Sequence, residues 1–123
     1  MNLKPQHYAI ILLLLATIAL HFFAAFYVVE IKPDPLFTLN ALGYLGLLGA
    51  YFLPIKFFQE RHKLVWRVLF GYVILTIVAW AFITLLRFIH HTEVSDLDRM
   101  TGYAAKTVEV ILLGFLWSDR PQQ

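Results

Sequence analysis

The sequence predicts an all-α membrane protein: a four-transmembrane-helix antiparallel bundle with both termini in the cytoplasm. Three observations carry that prediction. Of 123 residues, 60% are hydrophobic and 15% charged, against about 45–50% and about 25% in soluble domains. A soluble unit of this length has no interior large enough to hide so much apolar surface. Finally, the apolar residues fall in four long segments, at about 6–30, 35–56, 64–90 and 96–118, joined by short polar stretches. No room is left for a soluble domain, so residues 1–123 read as a single integral membrane domain.

No residue is charged between Lys4 and Glu30, and within 8–29 only Thr17 and His21 are strongly polar. At 1.5 Å per residue this run spans a hydrocarbon core of about 30 Å. It exceeds the roughly 7–15 apolar residues of a secretory signal, so it is expected to be a retained helix. The second segment opens on Asp34-Pro35, with Asp suited to the N-cap and Pro to the first helical position. Pro54 lies where it stops or bends that helix. In the third, Arg67 and Arg87 frame an uncharged stretch and sit near enough to the ends to snorkel toward headgroups. The fourth begins with a capping-box-like Ser95 and Asp98, yet carries Lys106 and Glu109 in its interior. Each charge costs about 2.5–3.5 kcal/mol at mid-helix, and the seven large aliphatic and Phe residues of 108–116 return only about 3 kcal/mol. This helix is marginal alone and needs neighbours.

Orientation follows from the distribution of Lys and Arg. With four crossings one side holds Lys4, Lys56, Arg61, Lys63, Arg67 and Arg120, whereas the other holds Lys32, Arg87 and Arg99 amid Glu30, Asp34, Glu93, Asp96 and Asp98. The positive-inside rule puts both termini in the cytoplasm of a cell whose plasma (inner) membrane holds the protein, with Lys56, Arg61, Lys63 and Arg67 as a basic anchor. Short loops make consecutive helices antiparallel neighbours, and the tail from Asp119 to Gln123 is expected to fray. A net charge of +2 without a basic tract gives no footprint for nucleic acid, and the absence of Cys excludes a disulfide scaffold.

In lipid, polar and small residues turn toward other helices. Segment 1 groups Thr17, His21, Ala24, Ala25 and Val28 on one face; segment 3 aligns Thr76, Trp80, Thr84, Arg87 and His91; segment 4 aligns Arg99, Gly102, Tyr103, Lys106 and Glu109. In segment 2, Gly43, Gly46 and Ala50, with Gly49 beside them, form a smooth stripe for helix packing, and Asn40 and Tyr44 occupy the adjoining face. Counted from the outer ends, His21, Tyr44 and Glu109 fall at a common depth of roughly 12–15 Å. The candidate site is therefore an intramembrane polar cluster in the outer half: His21, Asn40, Tyr44, Thr84, Arg87, Tyr103, Lys106 and Glu109. Its simplest role is structural, with Lys106 and Glu109 at i, i+3 neutralising each other.

No phosphate loop, nucleophile elbow, H-E-x-x-H or C-x-x-C is present. Neighbouring His90 and His91 point about 100° apart on a helix, so no metal or haem site is read from them. Three function classes remain. The first is a non-catalytic accessory or structural subunit, packing as a homo-oligomer or within a larger membrane complex. The second is a small proton- or ion-coupled transporter using the Lys/Glu/His cluster. The third is a membrane redox, pigment- or lipid-binding subunit, and for it the cofactor is left open.

Overall fold

A computed structural model describes residues 3–28 and 35–121, and every regular element among them is helical. They are α1 (Pro5–Phe23), running on into a π-helical turn (Ala24–Val28), α2 (Pro35–Phe52), the short α3 (Lys56–Glu60), α4 (His62–Ile89) and α5 (Asp96–Ser118). Three stretches are long and apolar enough to cross a membrane: Pro5–Tyr27, Pro35–Phe52 and His62–Ile89. Helix α5 is of similar length, but Asp96, Asp98, Arg99, Lys106 and Glu109 set its composition apart.

Local chemistry explains most boundaries. Pro5 begins α1, and the Lys4 N–H donates to His7 Nδ1 (3.0 Å) while the His7 N–H donates to Lys4 O (2.9 Å), so two end groups are satisfied reciprocally. Ser95 Oγ accepts from the Asp98 N–H at 3.1 Å and caps α5. The expected cap at Asp34 lies outside the described residues. Helix α2 ends at Phe52 instead of running to about 56, because Pro54 follows and lacks the N–H a further turn needs. The connection from 56 to 63 is not an open loop: α3 forms there, and α4 begins at His62. At the far end of α4, His91 takes a positive φ of 52°. The Thr92 N–H then reaches Arg87 O (2.9 Å) and the His91 N–H reaches Phe88 O (3.3 Å), closing the helix in a Schellman turn.

Helix α1 packs along α2 and α5, and α4 packs against α2 and α5. Buried residues follow helical spacing: Ile10, Leu14, Thr17, Ile18 and His21 on α1, and Thr101, Ala105, Glu109, Leu112 and Leu116 on α5. Of these, Ile10, Leu14, Ile18, Leu112 and Leu116 meet Tyr44 and Tyr51 of α2 and Val65, Leu69 and Val73 of α4 in one core. The Gly stripe packs less than its spacing predicts. A Cβ on Gly43 would lie 2.3 Å from the Tyr72 hydroxyl oxygen, so α4 crosses there; Gly46 has nothing within 4 Å, Gly49 meets only Leu53 of its own helix, and Ala50 is partly buried against the core.

One end of the molecule is clasped by Asp119. Its Oδ1 accepts from Gln6 Nε2 (2.9 Å) and from His7 Nε2 (2.8 Å), and its Oδ2 accepts from the Tyr51 hydroxyl. The His62 ring meets the Tyr51 ring edge-on at 4.7 Å, and Trp66 Nε1 donates to Leu116 O at 2.8 Å. The start of α1, the end of α2, the start of α4 and the end of α5 therefore meet here. Fraying is the expectation for this tail; Asp119 instead ties three helices, because three donors converge on one carboxylate. Burial works against its ionisation, but the Tyr51 and Gln6 hydrogen bonds and the His7 ring hold its carboxyl below the usual carboxylate value. The basic residues Lys56, Arg61, Lys63 and Arg67 lie exposed at the same end, with Arg61 stacked 4.0 Å over the Phe57 ring.

Candidate functional site

Past Val73, α4 buries no further residue. Its remaining inward positions carry Trp80, Thr84 and Arg87, too bulky or too polar for tight packing against α1 and α5. The space left over is a narrow pocket of about 60 Å³, walled by Leu20, Ala24, Phe37 and Ile83 and bounded by His21, Trp80, Thr84, Arg87, Asp98 and Lys106. Toward the open end of the molecule, Trp80, Thr84, Arg87 and Asp98 also line a groove of about 550 Å³ that adds His91, Glu93, Arg99 and Tyr103. Arg87 and Asp98 pair across the shared mouth at 3.5 Å.

Below the pocket lies the charged centre. Glu109 is fully buried, and both its oxygens are engaged: Oε1 accepts from Lys106 Nζ at 2.6 Å and Oε2 from the Tyr44 hydroxyl at 2.5 Å. The side chain of Lys106 is 12% exposed. A buried carboxylate is tolerable only when paired and hydrogen-bonded, and this one is both. Tyr44 is held in turn by an edge-on contact with the Tyr72 ring at 4.8 Å. The Tyr72 hydroxyl lies 2.9 Å from Asn40 O and 2.8 Å from Asn40 Oδ1. His21, also buried, lies with its ring 5.6 Å from that of Tyr44, and its Nδ1 is 2.8 Å from Thr17 O.

Of the residues singled out from sequence, His21, Tyr44, Lys106 and Glu109 come together from α1, α2 and α5. Thr84 and Arg87 stand above them at the pocket mouth. Tyr103 faces the outer groove, its ring 5.6 Å from Trp80, and is more than half exposed. Asn40 sits to one side and joins the cluster only through Tyr72. Sequence reasoning placed Trp80 on the correct helix face but not in the site, and it missed Tyr72, Phe37 and Asp98. The signal for Asp98 was present, since a carboxylate in the first turn of α5 is the natural partner for an arginine ending the preceding helix. Nothing in the periodicity marks Tyr72.

The arrangement offers hydrogen-bond donors, a paired carboxylate and an imidazole around a small, largely apolar cavity. Among the described residues no three His, Asp or Glu side chains converge as metal ligands. Compared with protein-family profiles, curated proteins and solved structures, the chain has no match in any of the three.

Proposed function

We propose that this chain is an integral membrane protein crossing the bilayer four times as an antiparallel bundle. In this reading both termini lie on the cytoplasmic side of the plasma membrane, and the protein serves as a non-catalytic subunit packing against other membrane proteins or a second copy of itself. The single observation that supports it most is α4. Of its 28 residues only Val65, Leu69 and Val73 are buried, and Val68, Leu75, Val78, Phe82, Leu85 and Ile89 are exposed along its length. Apolar surface on this scale calls for lipid or another protein to cover it. The charged centre fits the same role: with both Glu109 oxygens committed, the pair neutralises a charge that lets α5 join the other three helices.

Photocrosslinking tests the subunit reading. A benzophenone side chain at Phe82 is expected to give one discrete protein adduct in native membranes. Adducts to lipid alone, with a monomer throughout mild-detergent purification, overturn it. Topology is tested separately, since the chain has no native Cys. A cysteine introduced at Thr92 is expected to react with an impermeant maleimide on intact cells, and one at Gln59 only after permeabilisation. The reverse pattern overturns the orientation, and labelling of both without permeabilisation overturns the four crossings.

A further inference from the structure

Helices α2 and α4 meet where Gly43 lies under Tyr72. Toward the Asp119 end they part around an outward-facing groove of about 190 Å³. Leu47 and Ala50 of α2 form one wall and Leu64 and Val68 of α4 the other, with Phe57 of α3 completing it. Arg61 is the one charged residue in this apolar lining. On α4, Leu64, Val68, Gly71 and Leu75 recur at i, i+4, i+7 and i+11 and so share one face. All four are exposed, and Gly71 has open space beside it. The rise from Leu64 to Leu75 is about 16 Å, against about 15 Å for half of a hydrocarbon core. The strip has the length of one acyl chain in one leaflet.

Charge beside the groove is one-sided. Lys56, Arg61, Lys63 and Arg67 stand against Glu60, which lies 3.9 Å from both Lys56 Nζ and Arg61 Nη1. Asp119, the other described carboxylate at this end, is committed to Gln6, His7 and Tyr51. Among the described residues Lys63 and Arg67 pair with no carboxylate. We propose that the α2–α4 groove seats one acyl chain of an anionic phospholipid, the chain running along the Leu64–Leu75 strip and the phosphate held by Arg61 and Arg67. An apolar slot alone fits any lipid tail, and a basic rim alone fits any anion; together they select an anionic amphiphile. The planar guanidinium fork suits a phosphate, and Arg61, stacked 4.0 Å over the Phe57 ring, is held at the groove. A zwitterionic lipid brings a cation of its own, for which only the shared Glu60 is available. The lipid site rests on the membrane reading above, which puts this end on the cytoplasmic side, where anionic lipid concentrates; it does not depend on what covers Phe82.

The test reconstitutes the full chain in nanodiscs of equal parts phosphatidylglycerol and phosphatidylcholine and counts retained lipids by native mass spectrometry. One phosphatidylglycerol per chain is expected to survive release, at least about tenfold more often than phosphatidylcholine. Arg61→Gln and Arg67→Gln are each expected to lower that preference about fivefold. Both side chains are exposed, so both variants are expected to fold. Val68→Trp fills the groove without altering a charge and is expected to lose the retained lipid while its circular dichroism stays helical. Should it not fold, Leu64→Trp on the same wall decides, with the same loss expected. Equal retention of the two lipids, a preference unchanged in either Gln variant, or retention unchanged with the groove filled overturns the proposal. So does displacement by glycerol phosphate, which marks a headgroup site without a chain, or a lipid-free dimer, which marks a second copy in the groove. A chain that inserts but retains no phosphatidylglycerol overturns the lipid site alone. A chain that never inserts overturns the membrane reading as well.

Discussion

Glu109 accepts two hydrogen bonds from two different helices, and each donor can be removed alone. Lys106→Leu leaves a buried carboxylate without its counter-charge and is expected to cost about 3–5 kcal/mol in reversible unfolding from mixed micelles. Replacing Lys106 and Glu109 together by Leu is expected to recover much of that loss, since two apolar side chains need no partners. Tyr44→Phe removes only the hydroxyl and is expected to cost about 1–3 kcal/mol. If Lys106→Leu is harmless, the pair does not stabilise the bundle. Asp119 makes a prediction of opposite kind. Its folded value lies below the ordinary 3.8, so its contribution is complete above that pH and is lost as pH falls through the lowered value. Asp119→Asn is therefore expected to flatten the acid limb of a stability profile while changing little once the pH is below that lowered value. The contrast between the two carboxylates shows what could be read at this scale. Lys106 and Glu109 are neighbours on one helix, and equal depth brings Tyr44 and His21 to them. Asp119 finds Gln6, His7 and Tyr51 at separations of 113, 112 and 68 residues, and no local pattern announces such a meeting.

Each long helix was legible from its apolar run, whereas the contacts of each face were only partly so. The small residues of α2 illustrate the limit: Gly43, Gly46 and Gly49 look equivalent in sequence, yet only Gly43 lies under the Tyr72 side chain of α4. A substitution series separates them. Gly43→Val forces Tyr72 off Asn40 and is expected to destabilise the α2–α4 crossing. Gly46→Ala meets open space and is expected to stabilise by up to about 1 kcal/mol through helix propensity. Equal effects in thermal unfolding would mean that the stripe acts as a unit. Helix α3 escaped the sequence because five residues are too few to display a helical period. The opened upper half of α4 was also hidden, since its cause is the bulk of Trp80 and the pairing of Arg87, not any break in hydropathy.

At the scale of the molecule, the order of the four long helices was readable because each is bounded by charge or proline. The way α5 closes on α1 was not, as it depends on which residues find each other across the chain. The result is a structure with unequal ends. At one, Asp119 ties three helices together; at the other, α4 stands off and a polar groove remains. Packing at the tight end and space at the open end are complementary, since the same core residues that stop at Val73 define where the cavity begins.

The Asp119 clasp also fixes where anything attached to the chain must emerge. A partner fused ahead of Lys4 and another fused after Arg120 leave the protein side by side, from one face. Two halves of a split fluorescent protein placed there are expected to reassemble within a single molecule, with brightness independent of expression level. Cutting the tether through Asp119→Ala should dim that signal before it disturbs the buried charges.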